Sequence, residues 1–171
     1  QMEGQYDVII LAVKQRENQA AAEFLRPFLR DDGAVVTVQN GLPESGLAQV
    51  FGKDRVYGCT LSWSAEKIAP GVVRVTSDTG FHLALGAYGK GDKLDALSAL
   101  LSHAGTLTTG NLAEIRFAKL AINASFSTLS ALSGLTFLQL AKKQKKLVLS
   151  LMREVFAVAR ANGCTGLPQN G

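Results

Sequence analysis

The sequence predicts an α/β fold, a parallel sheet with an antiparallel extension, followed by an all-α C-terminal part. Three observations carry this expectation. YDVIILAVK (Tyr6–Lys14) and AVVTVQNG (Ala34–Gly41) are short, nearly continuous apolar runs rich in β-branched residues. Such runs mark strands buried on both faces of a parallel sheet. Helical sequence separates them, and a β-α-β-α order implies parallel strands joined by right-handed crossovers. From Asn111 onward the pattern is helical throughout.

The elements follow in order. ENQAAAEFLRPFL reads as a helix that Pro27 bends or ends. PESGLAQVFG starts a helix at Pro43 and stops it at Gly52. RVYGCTLSWSAEK and GVVRVTSDTGFHLALG alternate in polarity and read as antiparallel strands, with APG (Ala69–Gly71) and SDTG (Ser77–Gly80) as turns. DKLDALSALLSHAG is amphipathic, with Leu94, Leu97, Leu100 and Leu101 at helical spacing. A long helix covers FAKLAINASFSTLSALSGLTF (Phe117–Phe137), with a break near Gly134. A second runs from about Ala141 to Ala161 and stops at Asn162-Gly163. A boundary near residue 107 divides an α/β domain, 1–107, from a helical domain, 108–171.

Composition narrows the class of function. With 171 residues, 47% hydrophobic and 19% charged, the chain can bury a real core. Its formal charge of +4 is spread out except at Lys142, Lys143, Lys145 and Lys146, which read as a solvated helix face. Nucleic-acid binding is therefore not expected, whereas an anionic small substrate or phosphorylated cofactor suits the mild positive charge. Two cysteines without metal-ligand spacing read as reduced thiols in a cytoplasmic protein. No signal peptide and no apolar run of about 18 residues is present, so no membrane association is expected. His82 and His103 lack ligand companions, and Ser62 and Ser64 flank Trp63 without a nucleophile elbow.

Two places could carry chemistry. Lys119, Asn123 and Ser127 follow one another at four-residue steps, and residues four apart share a helix face. Either Lys119 snorkels to solvent while the amide and hydroxyl meet other helices, or it lines a cleft and gives a proton to a ligand that Asn123 and Ser127 orient. At the strand ends, Lys14 and Asn40-Gly41 lie where open α/β sheets bind ligands. Ordinary turn chemistry at Asn40-Gly41, and a solvated strand end at Lys14, explain the same residues equally well. No G-x-G-x-x-G occurs, since Gly86, Gly89 and Gly91 lack that spacing. The strands are too few for a complete doubly wound sheet, so the chain reads as the middle of a longer protein.

Five blocks in register resemble the ketopantoate reductase (2-dehydropantoate 2-reductase) family of the 6-phosphogluconate-dehydrogenase-like group. They are DVIILAVK, VVTVQNGL, RVYGCTLSWSAEKIAPGVVRVTSDTGFHLALG, IRFAKLAINASFSTLSALSGLTF and LMREVFAVARANGCTGLP. The resemblance implies the second half of a Rossmann-like NADP-binding sheet, with a helical substrate and dimerisation domain. It further implies NADPH-dependent reduction of a branched 2-oxo acid, 2-dehydropantoate to pantoate in pantothenate biosynthesis. By position it makes Lys119 the proton donor and Asn123 a substrate-binding asparagine, and it puts Lys14, Asn40 and Ser64 beside the NADP cofactor. No metal is implied, and a homodimer is expected. The chain departs from the family pattern where Ser127-Thr128 replaces Asn-Pro and Phe137 replaces a substrate-binding asparagine. Ser127 can still donate a hydrogen bond and Phe137 cannot, so a bulkier or less polar 2-oxo acid fits such a site. The alternatives are a related reductase of another oxo or hydroxy acid, or an inactive fragment that pairs through an open sheet edge.

Overall fold

Three strands, β1 (Tyr6–Leu11), β2 (Leu29–Thr37) and β3 (Val56–Ser62), lie side by side and parallel. Ile9 faces Val35, and Val36 faces Tyr57. The structure is a computed structural model that describes residues 2–77 and 80–168. Helix α1 (Asn18–Leu25) returns the chain from β1 to β2, and α2 (Glu44–Phe51) returns it from β2 to β3. Pro27 sits in a 3-10 turn, Arg26–Phe28, directly after α1, because a proline there removes the N–H that the helix needs. Gly52 ends α2 at φ +84°, a conformation that L side chains rarely adopt.

Beyond β3 the sheet changes direction. Trp63 and Ser64 break the first alternating stretch, and β4 (Ala65–Ala69) and β5 (Val72–Val75) pair antiparallel as a separate hairpin. The expected SDTG turn includes Asp78 and Thr79, which lie outside the described residues. Strand β6 (His82–Ala87) then pairs antiparallel with β3. Helix α3 (Leu94–Leu101) follows, and β7 (Thr106–Thr109) runs parallel to β6, giving the sheet order β1-β2-β3-β6-β7. Strand β7 was not expected from the sequence. It is four residues long and pairs only through β6, which contributes the bonds its own pattern does not announce.

Both faces of the sheet are covered at its centre. Ile9, Leu11, Val35 and Val56 pack with Ala22 of α1 and Leu47 and Phe51 of α2. Ala34, Val36, Tyr57, Cys59, Leu83 and Leu85 pack on the other face with Leu97 and Leu101 of α3. The buried Tyr57 hydroxyl accepts the Lys93 N–H at 3.0 Å, which satisfies its polar end. Strand β1 corrects the expectation of burial on both faces. It lies at the sheet edge, where α1 covers Ile9 and Leu11 while Tyr6 and Ile10 stay exposed.

Contacts divide the chain into two compact units, Gln1–Leu112 and Ala113–Gly171. In the second, α4 (Leu112–Ile122) passes into a π-helical turn, Asn123–Ser127, and then into α5 (Thr128–Ser133). Gly134 ends α5 in the left-handed conformation at φ +69°. Thr136 and Gln139 form a capping box that starts α6 (Phe137–Lys143), so this helix begins before the expected Ala141. The two helical arms on either side of that break are bent by 94°. A second break at Gln144 precedes α7 (Lys145–Ala161). Phe117, Ala121, Phe156, Ala159, Cys164 and Leu167 form the core of this unit. The Glu114 carboxylate accepts the N–H groups of Thr165 and Gly166 at 3.1 and 2.6 Å, tying the start of α4 to the segment after α7. Among the described residues no single helix is long and apolar enough to cross a membrane.

Two stability tests follow from this packing. A Cβ on Gly86 would lie 2.8 Å from Leu112 Cα and 2.9 Å from the Gly110 carbonyl, whereas one on Gly46 of α2 meets nothing within 4 Å. Gly86→Ala is expected to cost about 1–3 kcal/mol in urea unfolding; Gly46→Ala should instead stabilise by about 0.5–1 kcal/mol. Burial, and secondarily the Glu114 carboxylate, push the Cys164 thiol above its ordinary value of 9.0. Folding therefore favours the neutral thiol. Its contribution is whole below about pH 9 and is lost as pH rises through the raised value. Urea midpoints measured from neutral pH to about pH 10 should fall less steeply in Cys164→Ala than in the parent.

Candidate active site

Because β1, β2 and β3 are parallel neighbours, their carboxyl ends open at one edge of the sheet. Lys14 follows β1 there, with its side chain exposed and its carbonyl accepting the Glu17 N–H at 2.9 Å in the turn Gln15–Glu17. Asn40 follows β2, exposed, and its main-chain carbonyl accepts a hydrogen bond from the Gln15 side-chain amide. Next to it, Gly41 has φ +82°, and a Cβ there would come within 2.5 Å of Gln15 Nε2. The positive φ favours glycine here, and the Gln15 side chain lies in the space that a Cβ would take. Ser64 lies just beyond β3, exposed, and its carbonyl accepts the Thr76 N–H at 2.9 Å. Lys14, Asn40 and Ser64 therefore share the edge at which open α/β sheets bind ligands.

Sequence reading missed the residue that holds this edge together. Gln39 is buried, and its Nε2 donates to the Val13 carbonyl and to Asn18 Oδ1 at 2.6 Å. Its Oε1 accepts the Thr37 hydroxyl at 3.0 Å. One amide thereby joins the exit of β1, the start of α1 and the end of β2. Strand alternation carries the signal that was overlooked. With Thr37 pointing inward, Gln39 must point inward too and Asn40 outward, so the two amides of Gln-Asn-Gly have opposite jobs. Beside the edge, an open cavity of about 330 Å³ is lined by Gln15, Arg16 and Asn18 on one side and Leu42, Pro43 and Ser45 on the other. Gln15, Arg16, Asn18 and Ser45 give its lining polar groups and one positive charge, which suit an anionic ligand better than a purely apolar one.

The second set of residues lies on one helical segment of the second unit. Lys119 is half-buried on α4; Asn123, half-buried, opens the π turn and Ser127, exposed, closes it. This corrects the expectation of an unbroken α-helical stripe. Ser125 is fully buried in the turn, and its hydroxyl donates to the carbonyls of Ala121 at 2.6 Å and Ile122 at 3.3 Å. Hydroxyl back-bonding of this kind competes with the regular α-helical ladder. Phe137 packs its ring on Phe126, with centroids 5.2 Å apart and planes tilted by 32°. Among the described residues no group of three or more His, Cys, Asp or Glu side chains could hold a metal ion.

Comparison with known proteins decides the family. Residues 1–89 match the ketopantoate reductase PanE/ApbA family, and residues 111–170 match the ketopantoate reductase PanE/ApbA C-terminal family. The chain belongs to the ketopantoate reductase family. A curated 2-dehydropantoate 2-reductase from Mesorhizobium japonicum is 26% identical over 186 residues, covering 94% of this chain and 57% of that protein. A crystal structure of 2-dehydropantoate 2-reductase from Geobacter metallireducens superimposes with a TM-score of 0.86 at 30% identity, covering 97% of this chain and 57% of the other. D-mandelate dehydrogenase in complex with NADH shares the fold, with a TM-score of 0.83 at 21% identity over 93% of this chain and 55% of the other. The chain thus spans little more than half the length of these ketopantoate reductases. Its mixed sheet and helical C-terminal part are those of the family fold.

The two amides of Gln-Asn-Gly separate in a stability test. Gln39→Ala leaves the Val13 carbonyl and Asn18 amide without their donor, and should cost about 1–3 kcal/mol. Asn40→Ala removes an exposed side chain while keeping the main-chain acceptor, so its effect should stay within about 0.5 kcal/mol. Thermal or urea unfolding of both variants checks the difference.

Proposed function

We propose that the protein is an NADPH-dependent reductase of a branched 2-oxo acid, 2-dehydropantoate being the first candidate, and that it acts in pantothenate biosynthesis. The observation that carries the reading is the match of both units to one reductase family, in a chain that places a half-buried lysine on α4 one turn before a half-buried asparagine at the start of the π turn. Lys14, Asn40 and Ser64 are the residues that would hold the dinucleotide, and their shared edge fits it: an ammonium for phosphate, an amide turn kept free of a Cβ at Gly41, and a loop carbonyl and hydroxyl beyond β3. When bound, the cofactor supplies a hydride to the substrate carbonyl carbon.

The remaining chemistry falls to this chain. Lys119 gives its proton to the carbonyl oxygen as negative charge develops there, acting as general acid and as electrostatic partner. Asn123 offers both a donor and an acceptor, which suits a substrate that carries a hydroxyl beside a carboxylate. Ser127 adds one further donor. A second reading, reduction of a bulkier or less polar 2-oxo acid, is favoured by the Phe126–Phe137 ring pair, with Phe137 half exposed where the family pattern has an amide. On either reading the protein works on a small molecule as a homodimer in the cytoplasm, away from nucleic acid and membrane. Two buried free thiols suit a reducing compartment.

The test follows NADPH or NADH oxidation by the full-length protein with 2-dehydropantoate and a panel of larger 2-oxo acids. Lys119→Ala is expected to lower kcat/KM by about 100-fold or more, while Lys14→Ala should chiefly weaken nucleotide binding. Undiminished turnover in Lys119→Ala would remove this lysine from the mechanism.

A further inference from the structure

The π turn at Asn123–Ser127 has a geometric consequence for the polar stripe. An α-helix has 3.6 residues per turn, so each four-residue step overshoots a full turn by about 40°. On an uninterrupted α-helix Ser127 would therefore sit roughly 80° around from Lys119, its hydroxyl on a different flank from the ammonium. A turn closed by i→i+5 bonds holds nearly one more residue, so four residues fall short of a full turn by roughly 30°. The first step, Lys119 to Asn123, is α-helical and overshoots. The second, Asn123 to Ser127, coincides with the π turn and comes back. The two errors cancel to roughly 10°, and Ser127 returns to the line of Lys119.

A π turn is uncommon and needs local support. Ser125 provides it from inside. Its side chain is fully buried, where an unpaired hydroxyl would be costly, and it donates to the Ala121 carbonyl one turn back at 2.6 Å. This is the back-bond that competes with the regular helix ladder. Two outer contacts complete the support: the Phe126 ring lies against Phe137 of α6, and the turn packs against α7.

We propose that the π turn is a register device and that Ser125 is the positioning residue holding it, so that the Ser127 hydroxyl stands in line with Lys119, with Asn123 about 40° to one side between them, and all three engage one 2-oxo acid. This rests on the roles given above to Lys119 and Asn123. Ser125 acts through the backbone and touches no substrate.

The test is a double-mutant cycle in the full-length protein with Ser125→Ala, Ser127→Ala and the double variant, reading kcat, KM for the oxo acid and NADPH affinity. Ser127→Ala should raise KM about two- to tenfold, the worth of one hydrogen bond. Ser125→Ala should raise KM by a similar factor. The double variant should be no worse than Ser125→Ala alone, because a misaligned Ser127 has nothing left to lose. NADPH affinity should be unchanged in all three. Additive effects in the cycle would overturn the proposal, as would a Ser125→Ala variant that lowers only the urea midpoint and leaves KM untouched. A crystal structure of Ser125→Ala separates the device from the reading beneath it. Residues 123–127 reverting to α-helix support the device even where Lys119→Ala keeps full activity and the functional reading falls. A π turn that persists without the Ser125 hydroxyl overturns it.

Discussion

The parallel pairing of β1, β2 and β3 is the constraint from which the first unit follows. Strands that run the same way cannot be joined by tight turns, so α1 and α2 must carry the chain back along one face. Every strand then ends at the same edge, and every loop that leaves it starts there. Lys14, Asn40 and Ser64 are 24 or more residues apart in pairs yet emerge together for this reason alone. Gln39 turns proximity into fixed geometry, since one buried amide bonds the β1 loop, the α1 start and the β2 end at once. A buried polar group of this kind is costly unless fully paired, and pairing it makes the loop conformation specific.

In the second unit, a polar stripe meets a helix whose period does not match it. Two serines two residues apart divide the work. Ser125 points inward and spends its hydroxyl on the helix's own carbonyls, while Ser127 is exposed and keeps its hydroxyl for the outside. The same residue type thus serves the backbone at one position and a ligand, on the reading proposed above, at the other. Breaks elsewhere in this unit have equally local causes. Gly134 supplies the left-handed cap, and Thr136 with Gln139 restarts the chain at a steep angle.

What was legible in the sequence was what burial dictates. The run at Ala34–Thr37 is apolar because its strand is packed between layers, the run at Val8–Leu11 is buried on the α1 side at Ile9 and Leu11, and the stop at Gly52 is visible because only glycine takes its φ without strain. Strand β7 was hidden because its four residues include only Leu107 as an apolar side chain and its partner is set by the sheet. The capping box at Thr136 was present as residue types but competes with a helix pattern that looks continuous to Ala161. The π turn left no mark in periodicity, since it arises from Ser125 back-bonding, the ring pair and packing on α7. For the candidate site, the shared edge of Lys14, Asn40 and Ser64 follows from the parallel order alone. Their roles, and that of Lys119, came from resemblance to a family.

The Phe126–Phe137 pair and the π turn bear on each other. Where the resemblance implies an asparagine, at position 137, this chain has a ring that accepts no hydrogen bond and is already engaged with its neighbour. A site that discriminates through polar contacts loses most when a buried partner goes unpaired. On the function proposed above, with one amide gone, the burden of orienting an oxygen-rich substrate falls on fewer groups, and the placement of each matters more. A plain α-helix would leave Ser127 roughly 80° around from Lys119. Widening one turn restores the third donor without changing its identity. A backbone adjustment and a side-chain replacement would then act together, one keeping polar contacts aligned while the other admits a less polar substrate tail.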